Sequence, residues 1–450
     1  MRLAVVLVFC LTLVTAAKGS EPPASIPGLQ SLDQVVFDNG LHVLVGQPVH
    51  RPLFSEVLVV VRAGTAIPAV GKEEVAWIAA QALLAGSRSS ATATVRQELA
   101  WLGVSTDFTV GREVAVFRFA LPDRSAPAFL QLLGDLISRD IPPSAWGEAV
   151  ARRAQEIAGE QADPWQRGSR QLGDLVWQEA DKPVGRDAST AVVDRPTLAD
   201  FRRRTYSPAN MVVSVLGNLP SDELIAALKA DFGYGRSAAD APVAELRPLV
   251  RHIGPVVRCL QDAAANPAVL LIGMGATAAG DSDFYGWQLV AHILGASYNS
   301  RLQRRLRSEL QAVYTVEASV IPVGEQNMLL RIVGQTDQLQ TVREVVRDEL
   351  SRLRLSPAGA EELKFARALM RSRLWLDAAS LHDQFYRLSL IILSHQRVRD
   401  PAAAEALLAA FTPESLQELM RRTLNPDTIV TVALSSRSES LCEGIDAGTR

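Results

Sequence analysis

The chain has 450 residues, of which 48% are hydrophobic and 21% charged, and its formal net charge is -3 at pH 7. This balance is typical of a folded protein long enough for two domains, and it excludes a disordered chain or a membrane-embedded one. The mild acidity argues against nucleic acid as a partner.

The N-terminal segment is a candidate secretory signal peptide. Arg2 is followed by an almost unbroken apolar stretch from Leu3 to Ala17, and Lys18 begins a polar, proline-rich run. The stretch is too short to span a bilayer, and no later run reaches about 18 consecutive apolar residues. We therefore expect removal of residues 1–19, secretion across the inner membrane into the periplasm, and no stable membrane span. An uncleaved anchor is the alternative.

Two cysteines remain beyond this segment, Cys259 and Cys442. An oxidising compartment would allow them to form a disulfide, but the sequence does not supply the Cα separation that a bridge requires. Two separate thiols are the alternative, and the question stays open at the level of sequence.

The first half of the chain alternates between strand-like and helix-like segments. Residues 37–45 (FDNGLHVLV) contain an Asn-Gly turn signal between β-type segments. Residues 57–65 and 113–121 have the apolar patterns of strands, and a helical stretch between them ends in a small-residue turn near Ser87. This mixture predicts an α+β fold, a sheet covered by helices.

An internal repeat divides the chain in two. Residues 203–208 read RRTYSP and residues 421–426 read RRTLNP, each preceded by a helical pattern and followed by a β-type run. Residues 269–277 (VLLIGMGAT) similarly resemble residues 57–65 (VLVVVRAGT). The repeat predicts two homologous domains, each a mainly antiparallel sheet covered by helices, at residues 30–236 and 251–440. The aperiodic stretch 237–250 is the predicted linker.

Two segments resemble motifs of the insulinase/pitrilysin-type (inverzincin) metallopeptidases. Residues 37–45 resemble the opening "L-x-N-G-L-x-V" of these peptidases, and residues 294–314 (LGASYNSRLQRRLRSELQAVY) resemble the family's second-domain signature. The resemblance implies that the chain is one half of a clamshell-shaped peptidase chamber, which family members build from four similar domains.

The zinc-binding H-x-x-E-H helix of that family is absent from this chain. Such a helix places two histidines on one face to hold zinc, with a glutamate that serves as general base. Alignment on the closing Gly-Ser turn puts Trp77 and Gln81 at the histidine positions and Ala80 at the base position. An indole, an amide and a methyl group cannot perform this chemistry, so the chain should bind no metal.

Glu156 is a possible remnant of the family's third zinc ligand. It lies 75 residues after Gln81 and resembles the "E-I" helix that carries this ligand. A single carboxylate without histidines would hold zinc weakly, so an ordinary solvated helix glutamate is the alternative interpretation.

The resemblance also implies two substrate-binding residues in the second half. Arg307 and Tyr314 match an arginine and a tyrosine, seven residues apart, that approach the substrate in active members. A guanidinium can hold a carbonyl or carboxylate with two donors, and a phenol can donate to a developing oxyanion. The alternative is a solvated helix arginine and a tyrosine that begins a strand.

Loss of the zinc motif together with this arginine–tyrosine pair implies a non-zinc subunit of a heterodimeric peptidase. The chain should be inactive alone and should act on peptide substrates beside a zinc-bearing H-x-x-E-H paralogue. A catalytically inactive peptide-binding or scaffold protein is the first alternative. An independent metalloenzyme with unfamiliar ligands is the second.

Overall fold

A computed structural model of the chain describes residues 28–50, 53–68, 71–87, 93–179, 193–233, 245–252, 254–277, 280–323, 327–394 and 401–436. The predicted signal peptide, the first part of the predicted linker, Cys442 and His395 lie outside the described residues. Within those ranges, no helix has both the length and the apolar character that a membrane crossing requires.

Among the described residues, most strands belong to two large sheets with matching strand order, of six and five strands, and β1 of the first has no counterpart in the second. The first sheet has the order β1-β2-β7-β3-β5-β4, and the second has the order β9-β13-β10-β12-β11. In each sheet the strand that ends the half pairs in parallel with one neighbour, β7 with β2 and β13 with β9, while the other pairs are antiparallel. The strands are β1 (Leu29–Val36), β2 (His42–Pro48), β3 (Phe54–Val61), β4 (Ser105–Val110), β5 (Ala115–Pro122), β6 (Trp177–Glu179), β7 (Met211–Leu216), β8 (Leu249–Arg251), β9 (Val256–Gln261), β10 (Val269–Thr277), β11 (Thr315–Pro322), β12 (Asn327–Gln335) and β13 (Val430–Ser435).

Helices lie on both faces of these sheets. They are α1 (Glu74–Leu83), α2 (Val95–Trp101), α3 (Ala126–Ser138), α4 (Pro143–Ala162), α5 (Pro164–Val176), α6 (Arg195–Thr205), α7 (Ser221–Phe232), α8 (Asp281–Gly295), α9 (Leu339–Leu355), α10 (Ala360–Ala379), α11 (Leu381–Ser394), α12 (Pro401–Ala410) and α13 (Pro413–Thr423). A π-helix covers Gln303–Glu309.

The internal repeat is visible in the structure as matching elements. Helices α6 and α13 each end in the Arg-Arg-Thr sequence, a short proline-containing 3₁₀ turn follows, and β7 or β13 then enters the middle of its sheet. Proline explains the break, because it cannot continue the helix and the residue before it favours an extended conformation. The predicted two-fold repetition of an α+β unit is therefore confirmed.

Each sheet has its own helix-covered core. In the first half the inner side chains of β3, β5 and β7 pack under α1, α3 and α6, with Phe117 and Phe129 fully buried. In the second half β10, β11 and β12 pack under α8, α9 and α13 around Trp287. These cores hold the alternate residues of each strand, as expected for a sheet with one face toward its own helices.

The opposite face of each sheet is covered by a helix from the other half. Helix α5 belongs to the first half but packs on β10 and β13 of the second sheet. Helix α11 belongs to the second half but packs on β3 and β7 of the first sheet. Close approach is possible at Gly168 of α5, where a Cβ would lie 2.4 Å from a methyl carbon of Leu271. The two halves are thus interlocked by an exchange of helices.

A short antiparallel pair, β6 with β8, joins the chain just after α5 to the end of the predicted linker. Beside it, Arg247 donates hydrogen bonds to the carbonyl oxygens of Thr65 and Pro68 in the first half. The described part of the linker is therefore anchored to the first half rather than free.

Candidate functional site

The position of the missing zinc motif lies on α1, which packs against α4. Helix α1 is buried nearly all round because alanine and aliphatic residues occupy almost every position, and Trp77 is its one partly exposed residue. Ala80 is fully buried, and Gln81 is 3% exposed. Nε2 of Gln81 donates a hydrogen bond of 2.6 Å to Oε2 of Glu156 on α4. The structure therefore brings Gln81 and Glu156 together.

A buried arginine, Arg153, occupies the space between these helices. Its side chain is 1% exposed, and it donates hydrogen bonds to Glu74 at 2.6 Å, Glu160 at 2.8 Å and Glu156 at 3.4 Å. The guanidinium carbon lies 4.5 Å from the centroid of the Trp77 ring, which is cation–π geometry. A positive charge carried by the chain thus lies among the residues at the zinc-motif positions.

Local charges around Arg153 are balanced. Burial lowers the pKa of Arg153, but hydrogen bonds and charge from Glu74 and Glu160 outweigh it, so this pKa lies above its usual value. Arg152 lies 3.9 Å from Glu156, and Arg170 also donates to Glu160. Three arginines therefore offset three glutamates.

This arrangement does not fit a zinc ion. Zinc needs deprotonated ligands with free lone pairs, and each carboxylate near Gln81 already accepts from a guanidinium. The remaining candidate is the amide oxygen of Gln81, which is buried without a hydrogen-bond partner among the described residues. No set of three or more His, Cys, Asp or Glu side chains suited to a metal occurs in the described ranges. Glu156 is thus a hydrogen-bonded member of the arginine network.

The network forms one wall of an open cleft of about 820 Å³. Trp77, Phe108 and Asp107 line it, together with the first turn of α5. Asp163 caps that helix by accepting from the backbone N–H of Trp165 at 2.8 Å, which fixes where α5 begins. Gln166, in the first turn of α5, lines this cleft and also the second one described below.

Arg307 and Tyr314 flank a tight turn between the π-helix and β11. Gln311, between them, has a φ of 51°, in the left-handed region that non-glycine residues rarely adopt. The turn is held by hydrogen bonds from the N–H of Ala312 to the carbonyl of Leu306 at 2.8 Å and from Thr336 to the carbonyl of Ala312 at 2.5 Å. π-Helices and strained backbone of this kind cluster at functional sites.

Both side chains point to solvent. Tyr314 is 59% exposed, while its backbone N–H donates to the carbonyl of Gln335 at 2.9 Å and anchors the start of β11. Arg307 is exposed, and its guanidinium lies 5.9 Å from the ring centroid of Tyr298, which is 82% exposed. The phenol of Tyr314 is therefore accessible to a bound molecule.

Arg307 differs from the other arginines of its helix. Arg301 forms a two-point ion pair with Glu362 at 3.0 and 2.7 Å, and Arg304 lies 3.5 Å from the same carboxylate. Arg305 pairs with Glu349 at 2.8 Å. Among the described residues Arg307 has no carboxylate partner within 4 Å. Its charge is the one in this helix that remains available to a ligand.

A second cleft, of about 790 Å³, lies beside Arg307. Its walls are the first turns of α5, the turn after α8 and the outer strands β11 and β12. Because Gln166 lines both clefts, the Arg153 network and Arg307 are on connected surfaces of one side of the molecule.

Sequence reasoning did not identify Arg153 as part of this site.

The described histidines do not form an alternative site. His42 and His292 are half-buried, and burial lowers the pKa of each. His382 instead pairs with Glu56 at 2.7 Å between α11 and β3, far in sequence from the motif positions.

Comparisons with known proteins found similarity to a peptidase family model and to several bacterial proteins. Residues 193–370 match a family model described as the peptidase M16 inactive domain. An uncharacterised zinc protease of Mycobacterium leprae is 25% identical over 283 residues, covering 60% of this chain and 62% of that protein. An uncharacterised zinc protease of Bacillus subtilis is 25% identical over 206 residues, covering 45% and 49%. The chain thus spans about half to three-fifths of the length of these curated relatives.

Solved structures share the fold. A protease from Helicobacter pylori has a TM-score of 0.79 at 13% identity, covering 90% of this chain and 100% of that one. The first half of the periplasmic protease PqqL from Escherichia coli has a TM-score of 0.72 at 17% identity, covering 93% and 95%. A structure of full-length PqqL has a TM-score of 0.71 at 17% identity, covering 93% of this chain and 49% of that one. The predicted two-unit α+β fold is confirmed, whereas the predicted domain boundaries stay a prediction.

Proposed function

Because this chain is a member of the insulinase/pitrilysin-type metallopeptidase family, we propose that it is the non-zinc subunit of a heterodimeric peptidase. A zinc-bearing H-x-x-E-H paralogue would bring the metal and the general base. This chain would bring Arg307 and Tyr314 and would complete the peptide-binding chamber. Alone, it would not hydrolyse peptides.

The observation that carries this proposal is the occupied position of the zinc motif. Arg153 is buried between α1 and α4 and accounts for the carboxylates that a metal would need. Introducing a divalent cation beside a buried guanidinium would add strong repulsion in a region of low dielectric constant. Both the ligands and the electrostatics therefore support a member that is non-catalytic by itself.

Arg307 and Tyr314 support a continuing role in peptide hydrolysis. Arg307 would donate two hydrogen bonds to a substrate carbonyl or carboxylate, because its guanidinium is exposed and has no acidic partner among the described residues. Tyr314 would donate its phenolic O–H to the oxyanion that develops when water adds to the scissile carbonyl. The tight turn around Gln311 would hold both residues in place.

The proposed location is the periplasm. Cys259 is disulfide-bonded, and disulfides persist in oxidising compartments. The proposed signal peptide precedes the described residues, and the structurally similar PqqL is described as periplasmic.

The test is turnover by the chain co-expressed with a secreted H-x-x-E-H paralogue. We expect Tyr314→Phe to lower kcat by about 10²- to 10³-fold, the usual effect of removing one oxyanion donor. Tyr386→Phe on α11, which also removes a phenolic O–H, is the matched control and should leave kcat unchanged. Undiminished turnover in Tyr314→Phe, or equal turnover by the paralogue alone, would favour a peptide-binding or scaffold role instead.

A further inference from the structure

The cleft beside Arg307 contains a second arginine, Arg331, that the proposed function does not use. Arg331 lies on β12 between Leu330 and Ile332, whose side chains enter the core under α8. Side chains alternate along a strand, so Arg331 points to the opposite face, toward the first turns of α5. We call this cleft the α5 trough; Trp165, Ser297, Tyr298, Arg307, Glu317 and Arg331 line it.

Three residues that line the α5 trough contain buried polar atoms without hydrogen-bond partners among the described residues. Nε of Arg331 and Oγ of Ser297 are buried donors with no hydrogen-bond partner among the described residues, and Oε1 of Gln303 is an equally unpaired acceptor. A buried donor without an acceptor has lost its hydrogen bonds to water without replacement, which is a free-energy cost. A ligand that supplied an acceptor to the two donors and an N–H to Gln303 would remove this cost.

The charge of the trough favours an anionic group. Arg307 and Arg331 contribute two positive charges, and Glu317 contributes one negative charge, while none of the three has an ion-pair partner within 4 Å in the described ranges. The rings of Trp165 and Tyr298 add apolar walls. A carboxylate matches the planar fork of a guanidinium, and a backbone N–H next to it matches Gln303.

We propose that the α5 trough binds a carboxylate of a peptide, with Arg331 as its main partner and Ser297 as a second donor. The proposal rests on the proposed function in that the ligand is a peptide. It adds a preference for peptides with a carboxylate at this position, which the proposed roles of Arg307 and Tyr314 do not give. The carboxylate is either the C-terminal group or an acidic side chain, and the peptide chain would continue past Trp165 toward the Arg153 cleft, because Gln166 borders both.

The test measures peptide binding by the isolated chain, without a zinc-bearing partner. Three short, otherwise neutral peptides with an N-terminal rhodamine would be compared. The first ends in a free C-terminal carboxylate and the second in a C-terminal amide. The third ends in a glutamate whose C-terminal carboxyl is amidated, so that its carboxylate is on the side chain. Fluorescence anisotropy should give a Kd about tenfold to a hundredfold lower for the free acid than for the plain amide. Equal binding of the amidated-glutamate peptide would identify an acidic side chain as a sufficient source of the carboxylate.

Three variants test which residues cause the difference in binding between the acid and the amide. Arg331→Gln should abolish the difference between acid and amide, whereas Glu317→Gln should strengthen binding of the acid because it removes a like charge. Arg304→Gln is the matched control, since Arg304 is an exposed arginine outside the trough. Circular dichroism would check that each variant is folded.

The proposal is overturned if the acid and the amide bind equally, if their difference survives in Arg331→Gln, or if Arg304→Gln removes it to the same degree. These outcomes are independent of turnover. If the chain prefers the carboxylate but Tyr314→Phe has no effect on catalysis, the proposed function is contradicted and the trough assignment stands. If Tyr314→Phe lowers catalysis but the acid and the amide bind equally, the trough assignment is contradicted and the proposed function stands.

Discussion

Arg153 is a full positive charge in a place that water hardly reaches. Taking a guanidinium out of water is costly, and ion pairs with good geometry are needed to offset the cost. Here Glu74 and Glu160 accept from it at 2.6 and 2.8 Å, and Trp77 covers one face of its guanidinium plane. The residue therefore stabilises the contact of α1 with α4 only while its partners remain.

The same charge should block reconstruction of a metal site. We expect the triple variant Trp77→His, Ala80→Glu, Gln81→His to retain no stoichiometric zinc while Arg153 is present. Adding Arg153→Leu should allow zinc to bind, because the carboxylate of Glu156 is then released and the repulsion is gone. Metal analysis after dialysis measures both, with circular dichroism to check folding.

The wild-type chain is the control and should carry no stoichiometric zinc. Stoichiometric zinc in the wild type together with peptidase activity would support an independent metalloenzyme. Stoichiometric zinc in the triple variant would show that Arg153 does not exclude the metal.

The sequence contained a signal for Arg153 that the motif comparison did not use. Residues Ala145, Ala149, Arg153 and Ile157 are spaced by four and all are buried on α4. That spacing places Arg153 on the apolar face of the helix. Glu156 and Glu160 follow Arg153 on the same helix, but Glu74 could not be found in this way, because it lies 79 residues away on another helix.

At the level of elements, the exchanged helices depend on small residues in the sheets. A Cβ at Gly46 on β2 would lie 2.2 Å from Cζ of Phe385 on α11. We expect Gly46→Ala to lower the free energy of unfolding by about 1 to 3 kcal/mol, the usual cost of overpacking. Urea unfolding measures it.

Gly147→Ala is the matched control. Gly147 lies inside α4, and a Cβ there would meet nothing within 4 Å. Alanine is the better helix former by about 0.5 to 1 kcal/mol, so this variant should be more stable than the wild type. A Gly46→Ala protein as stable as the wild type would mean that Phe385 moves without loss of packing.

The contact of α11 with β3 should also depend on pH. The hydrogen bond that His382 donates to Glu56, aided by the charge of Glu56, raises the pKa of His382 above the ordinary value of 6.5, against smaller opposing effects of burial and of Arg118. A pKa raised on folding gives stability that is complete below the unfolded-state pKa and is lost as pH rises through the folded-state pKa. The ion pair should therefore stabilise the protein at about pH 5.5 and contribute little at about pH 8.

The measurement is the Tm of the wild type and of Glu56→Gln across that range. The Tm of the wild type should exceed that of the variant at low pH, and this difference should shrink as pH rises. A constant difference in Tm between the two proteins would contradict this assignment.

The elements themselves were largely predictable, but their partners were not. β10 begins and ends at the residues predicted from its apolar run, Val269 and Thr277, and the Arg-Arg-Thr repeats mark the ends of α6 and α13. By contrast, the amphipathic pattern of α5 specifies an apolar face without naming the sheet that covers it. Only the three-dimensional contacts of Gly168 with Leu271 and Leu434 reveal the exchange.

At the scale of the whole molecule, the exchange makes each half dependent on the other. Separated at the proposed boundaries, residues 30–236 would lose α11 and expose Leu58, Val60 and Val212. Residues 251–440 would lose α5 and expose the corresponding face of the second sheet. Contiguous apolar surfaces of this kind promote association.

We therefore expect the full chain to unfold in one cooperative transition. Far-UV circular dichroism and tryptophan fluorescence should give coincident urea curves. Gly46→Ala should move both curves together, although it alters only the first sheet. The two halves produced separately should aggregate or lack a cooperative transition. Two resolved transitions in the full chain would contradict this interdependence.

The guanidinium of Arg153 is part of the polypeptide from the moment of synthesis. Chelators cannot remove it, and its presence does not vary with the supply of metal in the compartment. In the proposed pair, EDTA would silence the zinc-bearing subunit while leaving this one folded and able to hold peptide, so metal starvation would switch the complex from cutting to binding.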